Sequence, residues 1–284
     1  MADEKWIAGL NGTMSVTDAA LSVLSVRLGA VRDRLPAAVF QANEDIEHVH
    51  QLRVATRRAG AALRIFTEVL PARLHERSRK TLRHLRRAAG EARDWDVFLE
   101  EVQKRATRAP AVQAQGLIFL LGYGHGQRTR AQERLHEAYE EDAPRLLGVI
   151  ESITKTLESA APTIKSLGDL AAPMLGQLLQ ELIALAGGTL ENYETLHQVR
   201  ILGKRLRYAM EIFASCYAPE FRDRYYPAVV EMQDILGLAN DSYVAANRLK
   251  SLAAQLQQVQ PRQWPRYRKG IDTLIAFHEK RLPQ

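Results

Sequence analysis

The chain reads as an all-α protein assembled from two copies of one helical unit, and three observations carry that reading. Strand signals are nearly absent: Val and Ile are scattered among Ala, Leu, Arg, Glu and Gln, which favour helix, with little sustained alternation. A basic segment occurs twice, HQLRVATRRAGAALRIF from His50 and HQVRILGKRLRYAMEIF from His197. Seven of its seventeen positions are identical, where chance at average composition gives roughly one. The same offset of 147 residues, without a gap, then matches Gly90, Ala92, Asp94 and Val97 to Gly237, Ala239, Asp241 and Val244.

Helical periodicity places the elements in order. Helices are expected over Thr17 to Ala42, Glu44 to Leu70 and Ala72 to Ala89, the last closed by Gly90. Another begins after Arg93 with Asp94 as its N-cap, because an acid at a helix start bonds free backbone amides and complements the helix dipole. Leu117 to Glu141 continues as helix through Gly122, Gly124 and Gly126, which thin one face for close contact or mark a kink. Pro144 and the stretch Ser159 to Gly168 punctuate the midpoint. The second half offers Leu170 to Ala186, Tyr193 to Tyr217, Glu220 to Leu236 ended by Gly237, Asp241 to Gln258 capped by Asp241, and Trp264 to Arg281.

Successive helical residues advance about 100°, so offsets of 3, 7 and 14 fall within a sector about 60° wide. His50, Arg53, Arg57 and Arg64 occupy those offsets in the first copy. His197, Arg200 and Lys204 repeat the stripe, with Arg207 beside them and Glu211 where the first copy has Arg64. Leu52, Ala55, Ala59, Ala62, Leu63 and Phe66 lie around the other sides, ready to pack, and close packing is the expected reason for Gly60. Arg79, Arg83 and Arg86 form a further stripe flanked by Lys80 and Arg87.

Between residues 48 and 108 there are fifteen Lys and Arg against seven Asp and Glu, a net +8, while the whole chain carries +6. Positive charge is therefore concentrated in that third. Like charges one turn apart repel by a few tenths of a kcal/mol per pair unless an anion offsets them. Arginine dominates these stripes, and its planar fork matches phosphate oxygens bidentately.

Other classes are disfavoured. Cys216 is the only cysteine, so a disulfide framework and a cysteine zinc site are both excluded, and a reducing, cytoplasmic setting is expected. No run of eighteen apolar residues occurs, so no membrane partner is expected. His48 and His50 point to different helix faces and HExxH is absent, as are a P-loop, a dinucleotide turn and a nucleophile elbow. No metal, cofactor or catalytic residue is expected. Single-stranded RNA is the alternative polyanion, but its binding usually adds aromatic stacking platforms, and aromatics are 7% of the chain. Tyr208 is the clearest that interleaves with basic residues; Phe66 and Phe213 read as core.

HxxRxxxRR at His50 and HxxRxxxKRxRY at His197, each followed by Gly-x-Ala-x-Asp, resemble the two signature segments of the CHAD family, the conserved histidine α-helical domain. The resemblance spans residues 16–283, with halves of about 16–160 and 161–283 after a tail over 1–15. It implies two pseudo-symmetric helical bundles with a basic groove or pore between them, and non-enzymatic binding of inorganic polyphosphate, with polyphosphate granules as a setting. The positions it carries over are His50, Arg53, Arg57, Arg58, His197, Arg200, Lys204, Arg205 and Arg207. Charge geometry alone adds Arg64, Arg79, Arg83, Arg86 and Arg87. Glu211, and Gly60 opposite Arg207, depart from the pattern, so the two halves are expected to contribute unequally. Many relatives also carry a triphosphatase domain of the CYTH type. Its ExExK signature is absent here, so no hydrolysis is implied.

Overall fold

A computed structural model describes residues 5–188 and 193–282. The end of the expected domain at residue 283 and the first four residues of the tail lie outside the described residues. Eight α-helices occur among them and no strand: α1 (Val16–Phe40), α2 (Glu47–Ile65), α3 (Ala72–Ala106), α4 (Ala111–Glu158), α5 (Leu167–Ala186), α6 (Tyr193–Phe213), α7 (Tyr226–Val259) and α8 (Trp264–Glu279). A π turn over Phe221–Tyr225 feeds directly into α7. The all-α expectation holds.

Helices α1 and α5 start alike. The Ser15 hydroxyl accepts from the Asp18 amide, and Ser166 forms a full capping box with Asp169. The two starts also lie against each other, with Ser15 and Ser166 in an antiparallel bridge. Its neighbouring bonds run from the Val16 amide to the Lys165 carbonyl (3.1 Å) and from the Leu167 amide to the Met14 carbonyl (2.8 Å). Helices α1–α4 pack among themselves, as do α5–α8. Contacts of α2 with α6 and of α4 with α8 join the groups, and one hydrophobic core spans both.

Four expectations need correcting. Gly90 and Gly237 end nothing: α3 and α7 run through them, and Asp94 and Asp241 are mid-helix rather than caps. Gly90 costs about 1 kcal/mol in a helix. On α3, however, Leu85, Ala89, Ala92, Trp95 and Phe98 form one buried stripe across it, and burial of a large apolar side chain contributes about 1.5–3 kcal/mol. Pro144 likewise lies inside the 48-residue α4, where buried Leu146, Val149, Ile153 and Leu157 continue the apolar face beyond it.

Gly60 meets open space and not a packed neighbour. Close approach occurs elsewhere: a Cβ on Gly270 would stand 2.9 Å from the Gly116 Cα, so α4 and α8 touch backbone to backbone, and a Cβ on Gly124 would stand 2.8 Å from Leu99 Cδ2. The tail is docked where described. Ile7 and Leu10 are buried, Trp6 lies edge-on to Tyr226 at 4.9 Å, and Arg27 donates to the Lys5 carbonyl (2.8 Å).

Candidate anion-binding groove

Helices α2, α3 and α6 enclose a groove of about 630 Å³. From α2 come Arg53, Arg57 and Arg64; from α3, Arg86, Arg87, Gly90, Glu91 and Asp94; from α6, Ile201, Lys204, Arg205 and Tyr208. Seven bases thus face one space with two carboxylates. The back of each helix explains its orientation. Leu52, Ala59, Ala62 and Leu63 of α2, and Val199, Leu206, Ala209, Met210 and Phe213 of α6, are buried in the core, which turns the opposite stripe of each toward the groove.

The two carboxylates do different work. Arg53 donates to Asp94 Oδ1 at 2.6 Å and reaches the Gly90 carbonyl at 3.4 Å. The second copy repeats the arrangement, with Arg200 3.8 Å from Asp241, 147 residues on at both positions. The matched Asp residues of the sequence repeat therefore aim its matched arginines. Glu91 is paired with Arg134 of α4, outside the groove lining.

Confinement of like charge sets the electrostatics. Burial, then the neighbouring guanidiniums of Arg53 and Arg200, lower the pKa of Arg57, partly offset by the Tyr208 hydroxyl. Arg64 is lowered by burial and by Arg205, Arg86 and Arg79; Arg86 by burial, Arg83 and Arg53; Arg200 by burial, with Asp241 opposing and Arg53 adding to the effect. These guanidiniums stay charged, because the ordinary value lies so far above neutrality. Lys204 does not. Burial and the charges of Arg57, Arg200 and Arg53 push its amine down to about 6, against only Asp241 in its favour. At neutral pH the unliganded groove therefore holds Lys204 mostly as a free amine, and an anion entering the groove would restore its charge.

Not every expected residue faces this space. Arg53, Arg57, Arg64, Arg86, Arg87, Lys204 and Arg205 line it; Arg200 stands beside it through its coupling to Lys204. Arg58 is a correction: it is 6% exposed and donates to Glu211 at 2.7 Å. One position past Arg57 is a turn of about 100°, enough to carry it from the groove into the α2–α6 interface. Arg207 is a second correction. Its Nε bonds the Tyr226 hydroxyl (3.2 Å) and lies 3.9 Å from Glu211, inside the same network.

His50 is half-buried beside Glu47, Arg93, Arg53 and Arg57, and burial lowers its pKa; it is not in the lining. His197 bonds Asn240 at 3.2 Å and stacks on Tyr193, also off the lining. Arg79 and Arg83 are on the outer face of α3, leaning on Glu76 at 3.7 and 3.6 Å.

Sequence reasoning missed Gly90, Glu91 and Asp94 as groove residues. Arg87, Glu91 and Asp94 fall at i, i+4 and i+7, so one uninterrupted helix would have placed them on one face beside the arginines. Among the described residues no cluster of His, Cys, Asp and Glu able to hold a metal occurs, and no helix is long and apolar enough to cross a membrane.

Two solved structures share this fold. The crystal structure of the CHAD domain from the plant Ricinus communis superposes with a TM-score of 0.77 at 23% identity, over 97% of this chain and 89% of its own. PptA from Streptomyces chartreusis superposes with a TM-score of 0.71 at 18% identity, over 95% of each chain. Among curated proteins no sequence match was found. The CHAD domain family model matches residues 22–250. That match covers most of the sequence and both signature segments, and the chain belongs to the CHAD-domain family.

Proposed function

We propose that this chain binds inorganic polyphosphate in the α2–α3–α6 groove and does not turn it over. The observation that carries the reading is seven bases around one space with two carboxylates, one of those bases held short of its charge until an anion arrives. An internal phosphate of such a chain carries about one negative charge and no side group, so an open groove of guanidiniums suits it. The groove offers no pair of residues arranged as nucleophile and base, which supports binding without catalysis. Where polyphosphate is stored in granules, the same groove would bring the protein to them, and a cytoplasmic setting follows from that.

Single-stranded RNA is the competing polyanion. Tyr208, the one aromatic in the groove, is 7% exposed and engaged with Arg57, so it offers little face for a base to stack on.

Calorimetry with polyphosphates of increasing length tests the reading. Six groove bases without a carboxylate partner, the seven less Arg53, predict log K falling by about 4 per decade of salt if ion release resembles that from single strands. Affinity should rise with chain length as more sites engage. Replacing Arg53, Arg57 and Arg200 together by Glu should abolish binding, and single-stranded RNA of matched charge should compete poorly. Unchanged affinity in the triple variant would defeat the proposal.

A further inference from the structure

The two copies treat one pair of positions oppositely. Arg58 of α2 and Glu211 of α6 are joined by a buried ion pair at 2.7 Å. Moving each residue to its counterpart in the other copy, 147 positions away, gives Arg205 of α6 and Arg64 of α2. These two also meet: each lies in the groove wall, and the charge of Arg205 is the leading neighbour that lowers Arg64. What is an arginine–glutamate pair on one side is therefore an arginine–arginine pair on the other.

The surroundings follow the same exchange. Glu211 accepts from the Tyr226 hydroxyl at 2.8 Å and has Arg27 at 3.7 Å, so a carboxylate built into the fold answers the cations gathered there. Position 79 is the counterpart of 226, and Arg79, with Arg86, is again among the charges acting on Arg64. One site thus gathers the charges of Arg64, Arg205, Arg86 and Arg79, where its counterpart has a carboxylate in the middle. No carboxylate stands within 4 Å of Arg64 or Arg205 among the described residues. Arg53, by contrast, is paired with Asp94.

The cationic lining also stops at this corner. The neighbouring cleft is lined by Ile65, Met174, Gln177, Leu178, Glu181 and two alanines, with Arg64 and Arg205 as its cations. A polyanion has nothing to follow there.

We infer that the Arg64–Arg205 corner is an end-group subsite, taking the doubly charged terminal phosphate of an incoming polyphosphate chain in the position that the Glu211 carboxylate fills on the other side. This rests on the polyphosphate reading and adds to it that the chain enters with a free end. An internal phosphate carries one charge, whereas a terminal phosphate above its second pKa of about 6 carries close to two, with three oxygens free to accept from paired guanidiniums.

The experiment compares short polyphosphates of one defined length, with ends free or with both ends blocked as singly charged amidates, by calorimetry at pH 8. Free-ended chains should bind the native protein about tenfold more tightly, the scale of one charge-assisted hydrogen bond. Arg64→Glu rebuilds on this side the pair that Arg58 and Glu211 make on the other, and should bring the ratio of the two affinities to about one; Arg64→Gln should lower it in the same direction. Arg53→Gln, at the Asp94 end, should weaken both ligands and leave the ratio intact.

At pH 5 the ratio should shrink, because the terminal phosphate gains a proton. The charged groups around it are Arg64, Arg205, Arg86 and Glu181, with Arg79 acting on Arg64 from the outer face of α3. Lys204, with its amine at about 6, and His50, lowered by burial, also change with pH, but both ligands sense them alike. Native protein that binds both ligands equally, or a ratio that survives both Arg64 substitutions, overturns the inference while leaving polyphosphate binding in place. Absence of binding to either ligand removes both.

Discussion

Binding of a polyanion should draw a proton onto Lys204. In the free groove its amine is pushed down to about 6 by burial and by Arg57, Arg200 and Arg53. Phosphates threaded among those guanidiniums cancel the repulsion and offer the ammonium partners, returning its pKa toward the ordinary value of about 10.4. The bound state therefore holds more protons than the free state between those two values, and affinity falls as pH rises through that window. Below pH 6 this group contributes no pH dependence. At pH 7.5 the free amine lies about 1.5 units above its pKa, so charging it costs about 2 kcal/mol, or roughly thirtyfold in affinity relative to pH 6 and below. Its remaining solvent contact trims that figure.

Calorimetry in two buffers of different ionisation enthalpy, at pH 8, reads the proton directly. Almost one proton should be taken up per site by the native protein, and none by Lys204→Met. At pH 8 His50 is neutral and the terminal phosphate is close to fully charged in the free components, and His50→Gln serves as the control for the imidazole. Equal heats in both buffers for the native protein, or uptake that persists in Lys204→Met, would show that the groove does not hold this amine uncharged. A companion effect concerns stability without ligand. A lysine whose folded pKa is depressed binds more protons when unfolded, so it weakens the fold most below pH 6 and progressively less up to about pH 10.4. Lys204→Met should accordingly raise the melting temperature at pH 7.

Three further outcomes follow from the packing and pairing. Glu211→Gln leaves Arg58 buried without its carboxylate and should cost about 3–5 kcal/mol in denaturant unfolding; a loss under about 1 kcal/mol would mean that the pair is dispensable to the α2–α6 interface. Gly60→Ala, into open space, should stabilise by up to about 1 kcal/mol, whereas Gly270→Ala, 2.9 Å from the Gly116 Cα, should destabilise by about 1–3 kcal/mol; similar melting temperatures for the two would contradict the assigned surroundings. Asp94→Asn removes the carboxylate that competes for Arg53, so the salt slope of polyphosphate binding should steepen by about 0.7; an unchanged slope would mean that Arg53 is already free to bind anions.

The doubled basic segment was legible because its chemistry is local: the i, i+3, i+7 spacing fixes which side chains share a face, and Arg53, Arg57 and Lys204 do face one groove. Two kinds of feature were not legible. Gly90 and Gly237 read as helix ends because glycine is a poor helix former, yet the buried stripe from Leu85 to Phe98 runs through the first of them and holds α3 together. Propensity is a local quantity, and the packing that overrides it is not. Arg58 falls one residue, or about 100°, off the stripe that holds Arg57, but what it meets there is not written in the local sequence. Only the partner across α6, Glu211, which is 153 residues away, decides that one is a core ion pair and the other a groove wall.

A groove of like charges is tolerable without ligand only if something else holds its walls in place. The repulsion between adjacent arginines on one helix is a few tenths of a kcal/mol per pair while solvent screens them. Burial first, and neighbouring guanidiniums second, lower Arg57, Arg64 and Arg86, so both desolvation and repulsion weigh on the walls. On the reverse of α2, Leu52, Leu63 and Phe66 are fully buried, and α6 buries Leu206, Met210 and Phe213. At about 1.5–3 kcal/mol each, these six side chains exceed the repulsion severalfold. The Arg58–Glu211 pair then adds direction more than energy, since a buried ion pair is weak as net stabilisation but fixes which face of α2 meets α6. Rotation of α2 by one residue would bury Arg57 against Glu211 and carry Arg58 outward. The apolar contacts hold the helices together, the single carboxylate at 211 sets their register, and the arginines left over are held facing the groove with no carboxylate to satisfy most of them.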